Sequence, residues 1–185
     1  MKLTKNQINE INENGYIVLP DWFSDIEVKN IRKEMKKIFN DKTEADIIEK
    51  SSGEVRTAMG LHLRSKIFDN LTRHPKFFEP ARQIRGDNLY IQQTKINVKA
   101  AFTGEVWQWH YDFATHSGED GSAKPLALNL HVFLDDVNEF NGPLFFIPKS
   151  HKYGNVKSKL DTKTTSYPLW TVDQETVSSL VKENG

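Results

Sequence analysis

Leu126-Ala127-Leu128-Asn129-Leu130-His131-Val132-Phe133-Leu134 carries the fold-deciding pattern of this chain. Leu126, Leu128, Leu130, Val132 and Leu134 recur at every second residue, so an extended backbone puts them on one face. A strand that is apolar on one side needs a second apolar layer, which predicts a two-layer β-sandwich. The runs 89–98, 106–111 and 144–147 read as further strands, separated by Gly, Asn and Pro, with Asn141-Gly142 as a hairpin turn.

Upstream of this β-rich part the pattern is helical. Thr4 caps a first helix with Ile8 and Ile11 on one face, and Asn14-Gly15 ends it before an apolar strand at 16–19. Ser24 followed by Glu27 forms a capping box, and Val28, Ile31, Met35 and Ile38 continue the helix to Phe39. The polar segment 41–60, broken at Ser51-Ser52-Gly53, reads as a loop long enough to serve as a lid. Short helices are expected at 65–71 and 75–84, the second opened by Pro75. At the other end Val172, Val177, Leu180 and Val181 share a helical face that stops at Asn184-Gly185. The expected division is one domain over 1–185, helical in 1–88 and a β-core in 89–185.

The composition narrows the chemistry. A chain of 185 residues is long enough for one domain that buries roughly 70% of its unfolded surface. Its 25 basic and 25 acidic residues cancel, so no nucleic-acid partner and no membrane partner is expected. Cysteine is absent, which excludes disulfides and thiolate sites and leaves imidazole and carboxylate to hold any metal. The amphipathic N-terminus lacks the apolar centre of a signal peptide, and no apolar run approaches the roughly 18 residues of a membrane span, so a cytoplasmic location is expected.

The chemically richest stretch is Trp107-Gln108-Trp109-His110-Tyr111-Asp112-Phe113. On an extended segment His110 and Asp112 project from the same side and are able to grip one metal. One imidazole and one carboxylate, joined by a second imidazole, make the facial triad of non-haem iron(II) oxygenases. The spacing alone is also met by an imidazole satisfied in a tryptophan-rich core and a turn-forming aspartate. An aspartate among three aromatic residues is costly without a cation or hydrogen-bond donors, which favours the metal.

Trp109-His110-Tyr111-Asp112-Phe113, Glu119-Asp120-Gly121, Asn141-Gly142-Pro143-Leu144 and Ile147-Pro148-Lys149-Ser150-His151-Lys152 together resemble the phytanoyl-CoA dioxygenase superfamily, most closely its ectoine hydroxylase branch. The resemblance runs from Asn14-Gly15-Tyr16 to the closing helix. It implies a double-stranded β-helix, the cupin-like jelly-roll, in an α+β, mainly β chain with the N-terminal helices packed outside. It implies iron(II), 2-oxoglutarate and O2, with His110 and Asp112 as catalytic metal ligands. Gln93, Lys95 and Asn97 share one strand face by period two. By the resemblance Asn97 and Trp107 bind the cosubstrate, while Gln93, Lys95, Thr115 and Ala127 line the substrate. A solvent-facing stripe is the alternative for that strand.

The departures from the family pattern are specific. Lys95 replaces an arginine of the ectoine branch, Ala114 a glutamate and His116 a tryptophan. Such changes in a polar pocket shift selectivity strongly, so the expected substrate is a small polar or amino-acid-like molecule rather than ectoine by name. His151 belongs to a structural segment and not to the triad. The distal iron histidine and the arginine that clamps 2-oxoglutarate are expected on strands beyond Gly185, since no histidine or arginine follows His151. The C-terminal strands of the core are therefore read as missing. His131 suits a satisfied polar position, and Glu119-Asp120 reads as loop structure. A non-catalytic jelly-roll binding module, or an inactive fragment of such a hydroxylase, is the competing expectation; a small-molecule substrate goes with the enzyme, and a homodimer is among the states open to it.

Overall fold

The computed structural model describes residues 1–50, 52–100, 106–164 and 167–185. Its elements run α1 (Lys5–Asn14), α2 (Asp25–Asn40), β1 (Asp46–Ile48), β2 (Val55–Met59), α3 (Leu61–Arg64), α4 (Lys66–Thr72), α5 (Pro75–Arg85), β3 (Lys95–Asn97), α6 (Asp112–Gly118), a 3-10 turn (Ser150–Tyr153), β4 (Ser158–Asp161), β5 (Leu169–Val172) and α7 (Gln174–Asn184). No helix among the described residues is long and apolar enough to cross a membrane. The chain forms two compact units that interleave in sequence: one holds 1–4, 19–104 and 129–143, the other 5–18, 105–128 and 144–185.

In the first unit β1, β2 and β3 form an antiparallel sheet with β2 in the centre. The capping box that opens α2 is present: the Glu27 backbone N–H donates to Ser24 Oγ, and the Ser24 N–H donates to the Glu27 carboxylate at 2.7 Å. Ile31 and Ile38 on α2 then pack with Val55 and Ala58 of β2, Leu61, Phe68 of α4 and Ile96 of β3. Burying Ile31, Ile38 and Phe68 contributes about 1.5–3 kcal/mol each. Pro75 opens α5 as expected, and the His74 side chain accepts from the Lys76 N–H at its start.

The segment 41–60 corrects the loop expectation. It contains β1 and β2, and Val55, Arg56, Thr57 and Ala58 are all buried. Asp46 and Arg64 clamp it: one guanidinium nitrogen lies 2.5 Å from Asp46 Oδ1, the other donates to Oδ2 at 3.1 Å and to the Asp41 carbonyl at 2.8 Å. Burial alone raises the Asp46 carboxyl, but hydrogen bonds from Arg64 and the Thr43 N–H outweigh it and hold the group below its ordinary value. Arg56 and Glu49, both buried, form a second ion pair at 3.4 Å. Polar composition hid the strand, because Arg56 faces the Glu49 carboxylate and Thr57 the Asn97 amide rather than water. Ser51 of the expected break lies outside the described residues.

In the second unit β4 and β5 make an antiparallel hairpin, registered Ser158↔Val172 and Asp161↔Leu169, which the sequence pattern did not predict. Asp173 caps α7 by accepting from the Thr176 N–H at 2.7 Å, and Val177 is its buried residue. The C-terminus of α1 is held by the 3-10 turn. The Lys149 N–H donates to the Asn14 carbonyl at 2.8 Å, His151 Nε2 donates to the Asn12 carbonyl at 3.0 Å, and Lys152 reaches Glu13 at 2.7 Å. Gly15 ends the helix at φ 86°, and a Cβ there would run into the His151 ring.

Several expected strands do not take ladder form. Residues 16–19 and 144–147 have no strand assignment, and 89–98 shortens to β3. Residues 126–134 are irregular, with Leu126 and Leu130 exposed. Period-two apolarity specifies which face a strand would bury, but the strand exists only where a neighbour accepts its backbone hydrogen bonds. The expected Asn141-Gly142 turn sits two residues earlier, closed by the Asn141 N–H to the Asn138 carbonyl at 3.3 Å.

Candidate functional site

The predicted metal pair lies in the second unit, where a rung to β5 meets the start of α6. His110 forms an isolated antiparallel bridge with Thr171, and the Val172 N–H donates to the Trp109 carbonyl at 2.8 Å. Tyr111 remains extended (φ −128°, ψ 134°) and caps α6, whose first residue is Asp112. The expected strand over 106–111 is thereby corrected to a single rung, and Asp112 stands in a helical first turn, where the N-terminal dipole favours a carboxylate. The extended Tyr111 still sends its two neighbours to one side. His110 Nε2 and Asp112 Oδ1 are 3.4 Å apart.

His110 Nδ1 lies 2.7 Å from the Gln108 carbonyl, close enough for an Nδ1–H donor. A carbonyl accepts only, so this contact assigns the proton to Nδ1 and turns the Nε2 lone pair toward Asp112. That is how an outer hydrogen bond orients a metal-binding imidazole. An imidazole nitrogen and a carboxylate oxygen suit a borderline cation such as iron(II). Among the described residues no three His, Asp or Glu side chains converge on a common point, so His151 does not join the pair. His151 is engaged with α1 instead.

Trp107 lies beside the His110 ring. Its ring centroid lies 6.4 Å from that of His110, and 5.4 Å from Tyr167 in an edge-on arrangement. Thr115 is half-buried on α6, with its carbonyl accepting from the Glu119 N–H at 2.8 Å, while Ala127 is exposed outside any element. His116, one turn after Asp112, bonds through Nδ1 to Asp120 at 2.6 Å. Asp120 was expected to be plain loop; the four-residue spacing to His116 was the available signal.

Gln93, Lys95 and Asn97 belong to the first unit. Lys95 and Asn97 are exposed on one face of β3 while Ile96 enters the core, as period two requires. Gln93 is exposed and precedes the strand. Thr57 was missed: its hydroxyl donates to Asn97 Oδ1 at 2.9 Å.

The motif stretch, the closeness of His110 and Asp112 and the mixed helix and sheet fold agree with one assignment: the chain belongs to the phytanoyl-CoA dioxygenase family, whose profile matches residues 11–183. It is 36% identical to the ectoine dioxygenase of Bordetella bronchiseptica over 154 residues, 81% of this chain and 50% of that protein. It is 37% identical to the L-proline trans-4-hydroxylase of Streptomyces griseoviridis over 143 residues, 77% of this chain and 53% of that one. The crystal structure of EctD from S. alaskensis with bound Fe superposes with a TM-score of 0.84 at 29% identity, covering 99% of this chain and 63% of that chain. The same protein with 2-oxoglutarate and 5-hydroxyectoine gives a TM-score of 0.84 over 99% and 62%. The chain thus spans about half the length of the curated relatives it matches.

Proposed function

We propose that this chain contributes the iron-binding segment of an Fe(II)- and 2-oxoglutarate-dependent dioxygenase that hydroxylates a small polar or amino-acid-like molecule. The observation that carries the reading is the convergence of His110 Nε2 and Asp112 Oδ1 at 3.4 Å, with the imidazole turned by Gln108. Support comes from the relatives, which are an ectoine dioxygenase and a proline hydroxylase, and from the solved EctD with Fe. A jelly-roll core completed by strands outside this chain belongs to the same reading.

In this reading His110 and Asp112 supply two of the metal's ligands and a histidine outside the described set supplies the third. Asn97 and Trp107 hold the cosubstrate, and Gln93, Lys95, Thr115 and Ala127 face the substrate. When bound, iron(II) with 2-oxoglutarate and O2 converts a C–H bond to C–OH and releases succinate and carbon dioxide. The protein's own part is to keep Nδ1 of His110 protonated against Gln108, so that Nε2 stays a lone-pair donor, and to wall the pair with the Trp107 ring.

The assay supplies iron(II), ascorbate and 2-oxoglutarate with ectoine or L-proline and measures succinate together with the hydroxylated product. Matched formation of both is expected, abolished by His110→Ala. The absence of a third converging ligand among the described residues favours one competing reading, a binding module without turnover. Iron(II) and 2-oxoglutarate binding with no succinate under any substrate would establish that instead.

A further inference from the structure

We infer that Thr57 is a positioning residue that fixes the side-chain amide of Asn97, so that its NH2 group is offered to a carboxylate of the cosubstrate. This rests on the proposed assignment of Asn97 to 2-oxoglutarate and adds to it a residue and a direction. Three observations carry it. First, Thr57 and Asn97 are direct partners in the β2–β3 register. The Val98 N–H donates to the Arg56 carbonyl at 2.8 Å, and the Gly60 N–H to the Thr94 carbonyl at 2.9 Å. Those rungs mark the hydrogen-bonded pairs of the ladder, which alternate with pairs that are not. Thr57↔Asn97 is therefore of the second kind, in which opposed side chains stand closest, with Cα atoms about 4.5 Å apart.

Second, the Thr57 hydroxyl donates to Asn97 Oδ1 at 2.9 Å, and Thr57 is only 1% exposed. A β-branched side chain in a strand has restricted χ1, so the hydroxyl is aimed by the backbone itself. With Oδ1 occupied by that donor, the two amide N–H groups point the other way. Third, Asn97 is exposed on its face of β3 while Thr57 is buried. The open side of the amide is therefore its donor side. An ionised carboxylate accepts only, and matches an NH2 group rather than an amide oxygen. Were the amide flipped, its oxygen would face the carboxylate, acceptor against acceptor.

The decisive comparison is Thr57→Val, which keeps the shape and removes the hydroxyl, against Thr57→Ser, which keeps it. The full chain is loaded with manganese(II), and 2-oxoglutarate binding is followed by calorimetry. Thr57→Val is expected to weaken 2-oxoglutarate about three- to tenfold, the range of one hydrogen bond's orienting contribution. Thr57→Ser is expected to stay within about twofold and manganese affinity to be the same in all three proteins, while both variants lower Tm by a similar few degrees, since one loses a hydrogen bond and the other a buried methyl. A second readout needs no ligand: the Asn97 side-chain amide signals in a 15N spectrum, identified by their loss in Asn97→Asp, shift in Thr57→Val and not in Thr57→Ser. Equal 2-oxoglutarate affinity in wild type and Thr57→Val overturns the positioning role. So do unchanged Asn97 amide signals in Thr57→Val. A wild-type chain that binds manganese but no 2-oxoglutarate, with the amide signals behaving as expected, instead contradicts the assignment of Asn97 to the cosubstrate and leaves the Thr57–Asn97 geometry standing.

Discussion

The two units are held by different forces. In the unit with β1, β2 and β3, α2 and α4 cover a sheet, and Ile31, Ile38, Val55, Ala58, Leu61, Phe68 and Ile96 form one apolar cluster. In the unit with His110 and Asp112, the buried apolar residues among those described are few and scattered: Ala114, Ile147, Leu169 and Val177. Here the backbone is fixed by hydrogen bonds at element ends: the His110 bridge to Thr171, and the 3-10 turn on the end of α1. Burial is cooperative and resists local change, whereas end-to-end hydrogen bonding leaves side chains such as His110 and Asp112 accessible for chemistry.

That contrast is broken or sharpened by substitution on each side. The largest effect is expected for Phe68→Ala, which leaves a cavity in the apolar cluster and costs about 3–5 kcal/mol in chemical denaturation. A loss below about 1 kcal/mol would mean that the cluster does not hold the sheet. Gly15→Ala comes next. Its positive φ and the His151 ring behind it together cost about 1–2 kcal/mol, read as a lowered Tm. An unchanged Tm would remove the turn on α1 as an anchor.

Acid titration probes the first unit more gently. The hydrogen bond from Lys76 to Glu27, with those from Ser24, lowers the Glu27 carboxyl from its ordinary 4.5 to about 2. A carboxylate with a depressed folded pKa stabilises fully above its unfolded value and loses that contribution as pH falls through the folded one. Glu27 is therefore expected to contribute a decline of about 1 kcal/mol between pH 4.5 and 2, a modest figure because solvent reaches both partners, and acid destabilisation should be smaller by that amount in Glu27→Gln. The smallest stability effect, below about 0.5 kcal/mol, is predicted for His110→Ala, whose side chain is partly exposed and outside the apolar cluster. Unfolding midpoints of wild type and variant should coincide without metal.

What the sequence disclosed follows the same division. The Ser24–Glu27 box and the proline start of α5 are local devices, and each appears where the residues predict it. His110 and Asp112 were legible too, since two residues on either side of an extended one share a side whatever lies beyond. β2 was not legible: Arg56 and Thr57 look like loop residues until Glu49, across the β1–β2 turn, and Asn97, 40 residues away, partner them. The leucine alternation of 126–134 misled in the opposite sense, because a correct period cannot supply the neighbouring backbone that a strand requires. Thr57 escaped notice because nothing local marks it as the partner of Asn97, whereas the four-residue spacing of His116 and Asp120 was there to be read.

The central claim, that His110 and Asp112 grip one metal, is tested most directly by anaerobic iron(II) binding to the chain and to His110→Ala and Asp112→Asn. Stoichiometric binding that falls at least about 100-fold in each variant, with folding intact, is the predicted result. Binding of equal strength in wild type and in both variants would contradict the account.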